Sequence, residues 1–108
     1  TIGHAVELAS DFTLRHGEAV AIGMVAEARL AERLGLAREP GLSGRLARVL
    51  AALGLPTEMP PGIDRSAVRR AMLLDKKNES GSVRFALPIR IGEVRTRVAV
   101  EPGVALGD

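Results

Sequence analysis

The chain has 108 residues, 46% of them hydrophobic, with 15 basic against 13 acidic side chains and a formal net charge of +2. That is enough for one domain around one core, and with two Phe and no Trp or Tyr the core must be closely packed from small and branched side chains. Charges of both signs alternate without a basic face or stacking aromatics, which argues against nucleic acid as a partner, while the absence of cysteine excludes disulfides and thiolate metal sites.

No stretch reaches the roughly 18 apolar residues of a membrane span, and the first residues lack the order of a signal peptide. A soluble, cytoplasmic protein is the expectation. Thr1-Ile2-Gly3-His4-Ala5-Val6-Glu7 has no initiator Met and begins inside an element, so the chain reads as a piece of something longer.

From Gly3 to Ser10, Ala5, Val6, Leu8 and Ala9 predict a short helix, and Asp11 to Thr13 lead into a loop. Glu18 to Leu34 is the strongest helical stretch. Its first half is apolar on nearly every side, which predicts burial there; Glu27, Arg29, Glu32 and Arg33 mark its wet end, and Gly35 its C-cap. Leu42, Leu46, Val49, Leu50 and Leu53 form one amphipathic stripe that Gly54 and Pro56 terminate.

The three prolines between Pro56 and Gly62 predict a connection. Asp64 or Ser66 then caps a helix whose Val68, Met72 and Leu73 face the core, running to Asp75-Lys76-Lys77. Beyond residues 78–81 the period changes from 3.6 to 2. Val83, Phe85 and Leu87, then Val94, Thr96, Val98 and Val100, read as two strands joined near Ile91-Gly92. Pro102 to Asp108 reads as loose. The predicted fold is a mainly α, compact helical domain with a small C-terminal antiparallel β-hairpin, and the hairpin needs the helices for support.

The two histidines, His4 and His16, both fall at element boundaries. On one continuous helix they would point roughly 120° apart. A break over residues 11–15 instead lets the chain fold back and bring them to one site. His16-Gly17-Glu18 opens the long helix, where the dipole disfavours an imidazolium, and a neutral imidazole is what a zinc-type ion binds. Glu18 is a candidate acceptor to orient His16, or simply a favourable charge in the first turn. The plain alternative is that His16 is a polar boundary residue, since a catalytic zinc takes three protein ligands. Asp75-Lys76-Lys77 ends a helix, where cations are favoured anyway, but adjacent lysines also suit a phosphate or carboxylate.

Taken together, Thr1-Ile2-Gly3-His4-Ala5-Val6-Glu7, Leu14-Arg15-His16-Gly17-Glu18-Ala19-Val20-Ala21-Ile22-Gly23-Met24 and Asp75-Lys76-Lys77-Asn78 resemble the 3-dehydroquinate synthase family in order and spacing. Arg84-Phe85-Ala86-Leu87-Pro88 and Ile91-Gly92 continue the likeness.

The resemblance implies that residues 1–108 are the C-terminal metal- and substrate-binding helical domain of an enzyme whose N-terminal NAD-binding domain lies outside this chain, with zinc or cobalt between the two. It implies conversion of 3-deoxy-arabino-heptulosonate 7-phosphate to 3-dehydroquinate in the shikimate pathway, with a homodimer as the parent. By matched position His16 is a metal ligand, His4 an active-site residue that is not a ligand, and Lys76 or Lys77 a contact to the anionic substrate. The family's other two ligands, a His and a Glu, precede Thr1 in its pattern, so the isolated chain is expected to be inactive.

Three other readings stay open: a different sugar-phosphate cyclase, an iron-type alcohol dehydrogenase, and a helical interaction module without catalysis.

Overall fold

In the computed structural model, residues 2–11, 13–78 and 83–106 are described, excepting the side chains of residues 75–78, 102 and 103. The elements are α1 (Ile2–Ala9), α2 (His16–Arg33), α3 (Leu42–Ala52), α4 (Arg65–Asn78), β1 (Arg84–Arg90), β2 (Glu93–Ala99) and α5 (Pro102–Ala105). The predicted helices and hairpin all form. Among the described residues no helix is long and apolar enough to cross a membrane.

α2 is the axis: α1, α3, β1 and α5 all pack on it, and α4 closes on α1. The main core joins Ile2, Ala5 and Val6 of α1 to Ile22 and Leu30 of α2, Val68 and Met72 of α4, and Phe85 and Leu87 of β1. A smaller cluster of Ala21, Val25 and Leu50 fixes α3. Small residues on α2 make this arrangement possible. A Cβ on Gly23 would lie 2.6 Å from the backbone nitrogen of Gly3 and 2.7 Å from its Cα, so the two helices touch backbone to backbone.

The chain reverses between α1 and α2 where a break was expected. Asp11 takes a left-handed conformation, φ 54°, and Ser10 is buried. The Ser10 hydroxyl donates to the Glu7 carbonyl (2.8 Å), and its backbone carbonyl accepts from the Thr13 hydroxyl (2.7 Å). Asp64 caps α4 by accepting from the Ser66 N–H (2.9 Å).

Three expectations are corrected. Leu73 is 39% exposed, because Val68, Ala71 and Met72 already occupy the inner face of α4. The stretch from Pro102 is not loose through Leu106: α5 forms, Ala105 and Leu106 are buried, and Arg33 donates to the Val104 carbonyl (2.9 Å) while Arg65 donates to that of Leu106. Four residues are too few to show a helical period. Residues 107 and 108 lie outside the described residues.

The third correction concerns the hairpin. β1 alternates as expected, burying Phe85, Leu87 and Ile89, but β2 does not. Phe85 and Leu87 pair with Val98 and Arg95, so β2 carries one extra residue between them, and Arg97 there has φ 59°. One inserted residue reverses facing. Val98 is half-buried while Val94 is 57% exposed. Val94 turns instead toward an open groove of about 330 Å³ that Met24, Leu42, Leu46, Pro88 and Ile91 also line.

Candidate functional site

His16 is the first residue of α2, and its side chain is 77% exposed. Arg15 precedes it in extended conformation, φ −68° and ψ 152°, and the Arg15 backbone N–H donates to Glu18 Oε1 at 2.8 Å. Glu18 therefore caps its own helix. The acceptor that meets His16 is Glu7 of α1, whose Oε1 lies 3.0 Å from Nδ1 of the ring. Sequence reasoning missed it. A signal was present, since a carboxylate in the last turn of a helix gains nothing from the helix dipole and calls for another reason to be there.

The Glu7 side chain is only 14% exposed, so the carboxylate is held inside while the imidazole stands outside. His4 is exposed and precedes Glu7 by three residues on α1, which makes the two neighbours on one helix surface. The reversal at Asp11 thus brings the His4 helix against the start of α2 through the Glu7–His16 contact. The backbone of Asp75, Lys76 and Lys77 belongs to the last turn of α4. The expectation that Lys76 or Lys77 meets an anion concerns side chains outside the described residues.

From His16 an apolar stripe continues along α2 at intervals of four: Val20 and Met24 are each 39% exposed, as is Leu8 on α1. This corrects the expectation that the first half of α2 is buried all round. Glu27, expected at the wet end, is instead half-buried and accepts a hydrogen bond from the backbone N–H of Ile2. It thereby satisfies a donor at the start of α1.

Burial holds the Glu27 carboxyl above the usual carboxylate range, against the Ile2 hydrogen bond, which favours the ionised form. A raised folded-state value means that folding binds the proton more tightly. The contribution of Glu27 to stability is then full below its unfolded-state value and is lost as the pH rises through the folded one. Glu27→Gln keeps an acceptor for Ile2 and removes the charge. It should raise Tm near pH 7, with the gain vanishing below about pH 4, as thermal unfolding at several pH values will show.

Whether a metal fits can be asked of the donors themselves. Among the described residues no three His, Asp or Glu side chains converge on one point, so by its described residues this chain does not complete a metal centre. It does fit one position of such a centre. His16 is outward-facing, with one ring nitrogen on a carboxylate and the other without a protein partner among the described residues.

The family model for the 3-dehydroquinate synthase C-terminal domain matches residues 1–78. A 3-dehydroquinate synthase of Synechococcus sp. is 52% identical over 95 residues, which are 87% of this chain and 26% of the relative. That of Symbiobacterium thermophilum is 44% identical over 102 residues, 94% of this chain and 28% of the relative. The chain therefore spans about a quarter of the length of these curated relatives. Among solved structures, a 2-deoxy-scyllo-inosose synthase complexed with carbaglucose-6-phosphate, NAD+ and Co2+ superposes on 98% of this chain and 31% of its own, with TM-score 0.83 and 24% identity. A 2-epi-5-epi-valiolone synthase from Streptomyces hygroscopicus with NAD+ and Zn2+ bound superposes on 98% of this chain and 30% of its own, with TM-score 0.80 and 30% identity.

Proposed function

Because this chain belongs to the 3-dehydroquinate synthase family by its C-terminal domain, we propose that it is the metal- and substrate-binding part of an enzyme that converts 3-deoxy-arabino-heptulosonate 7-phosphate to 3-dehydroquinate and phosphate. The observation that carries this reading is the Glu7–His16 pair, with its imidazole outward at the start of α2 and an exposed apolar stripe beside it. The remaining ligands and the NAD-binding residues come from a domain outside this chain, and the assembled protein is a cytoplasmic homodimer.

A zinc or cobalt ion held there supplies Lewis-acid polarisation of substrate oxygens, and NAD supplies a transient hydride acceptor. The residues of this chain do the rest. His16 would hold the ion, through the ring nitrogen that Glu7 does not meet. His4, exposed on the same helix as Glu7, moves a proton near the leaving phosphate. Lys76 or Lys77 neutralises the anionic end of the substrate and orients it. The apolar stripe of Val20 and Met24 excludes water where the partner domain closes over it.

Identity favours this reading over that of another sugar-phosphate cyclase: the two dehydroquinate synthases stand at 44–52% and the two other cyclases at 24–30%. The test is phosphate release by the longer protein from the heptulosonate phosphate, with NAD and zinc or cobalt supplied. Turnover of that substrate, with none by the isolated 108-residue chain, is expected. Release only from a sugar phosphate without a carboxylate would move the assignment to another cyclase, and release from neither would remove it.

A further inference from the structure

We propose that Glu7 is a positioning residue for His16. It fixes the Nδ1–H tautomer and the ring plane, so that Nε2 presents its lone pair outward to a divalent cation. The proposal rests on the metal-binding reading of His16 but names a residue and a physical role beyond it.

The case is geometric. An ionised carboxylate only accepts hydrogen bonds, so at 3.0 Å from Glu7 Oε1 the Nδ1 atom of His16 must be the donor. In a neutral ring the other nitrogen then carries the lone pair. Glu7 can impose this because its own position is over-determined. Its side chain is 14% exposed, its backbone carbonyl is held by the Ser10 hydroxyl, and α1 is locked on α2 by the Gly3–Gly23 contact. The imidazole, at 77% exposure, has no comparable packing of its own. The carboxylate is therefore the part that sets the ring, and Glu18, the nearer acid in sequence, is occupied by the Arg15 N–H.

With only two histidines in the chain, long-range 1H–15N spectra of the 108-residue protein at mildly alkaline pH can assign both tautomers. His16 is expected as Nδ1–H in the unaltered chain and in Glu7→Gln, whose amide oxygen still accepts. In Glu7→Leu, which keeps an apolar filling for the site, it should shift toward the Nε2–H form that a solvated histidine side chain prefers, with the circular dichroism of the helices unchanged. An unaltered chain with Nε2–H at His16, or a Glu7→Leu protein that retains Nδ1–H, would overturn the proposal.

In the longer protein, Glu7→Leu should weaken Co2+ binding roughly 10–100-fold in chelator competition, and Glu7→Gln less. Unchanged Co2+ affinity in Glu7→Leu, where His16→Ala lowers it, also overturns it. Weakened Co2+ binding in a protein that releases no phosphate from the heptulosonate phosphate would uphold Glu7 and reject only the substrate.

Discussion

Gly23→Ala should destabilise the chain by about 3 kcal/mol, although alanine is the better helix former. Two effects compete at this position. Replacing glycine inside a helix with alanine gains about 1 kcal/mol through lower backbone entropy in the unfolded chain and better propensity. Against that, the new methyl would sit 2.6 Å from the backbone nitrogen of Gly3 and 2.7 Å from its Cα.

Those are backbone atoms, which cannot rotate away as a flexible side chain can, so α1 must shift bodily off α2. It would take Ile2, Ala5 and Val6 partly out of the core with it. At roughly 4–8 °C per kcal/mol, Tm should fall by more than about 10 °C. Gly17→Ala on the same helix is the control. An added methyl there meets nothing within 4 Å, so the propensity gain stands alone and Tm should hold or rise. If Gly23→Ala matches Gly17→Ala in thermal unfolding, the close contact of α1 with α2 is not what the geometry implies. The shift also has a local reading, because moving α1 parts Glu7 from His16, and the tautomer signal of His16 should shift toward Nε2–H, as is expected of Glu7→Leu.

Most of the fold was legible because most of it is periodic. The Leu42-to-Leu53 stripe, the glycine and proline stops, and the change of period after residue 78 each follow from one face meeting one core. What was missed lies where one local event overrides a period. The extra residue near Arg97 reverses which side Val94 faces, and nothing in the apolar alternation of β2 announces it. α5 is too short to show a pattern and depends on Arg33 and Arg65, both distant in sequence.

The site divides in the same way. His16 was legible from its place before a buried helix and from the resemblance. Its carboxylate was sought two residues on, at Glu18, but Glu18 is committed to the helix N-terminus, and the acid that reaches the ring lies nine residues back, across a reversal. Glu27 was read as exposed because its neighbours Arg29, Glu32 and Arg33 are polar. What the polar stretch does not announce is that α1 packs over α2 and brings the Ile2 N–H to it.

His16→Ala should cost little stability and nearly all of the proposed activity. The imidazole is 77% exposed, so its removal opens no cavity. What it leaves behind is the largely buried Glu7 carboxylate without its hydrogen bond, a loss of about 1 kcal/mol. Tm of the chain should therefore change by only a few degrees. In the longer protein the consequence is of another order.

Loss of a residue that merely orients a metal ligand costs about 10–100-fold in affinity or turnover, and loss of the ligand itself must cost more. Phosphate release should then fall by more than about 100-fold, with Co2+ affinity falling in parallel. The two measurements together decide what His16 does. Low turnover with unchanged Co2+ affinity would make His16 a proton-transfer or substrate-contact residue, and the Glu7 contact would then serve that role. Low turnover with low stability would make the pair a structural clasp between α1 and α2. Only an intact fold, weak Co2+ binding and lost turnover in one protein match an outward imidazole whose other nitrogen is already taken.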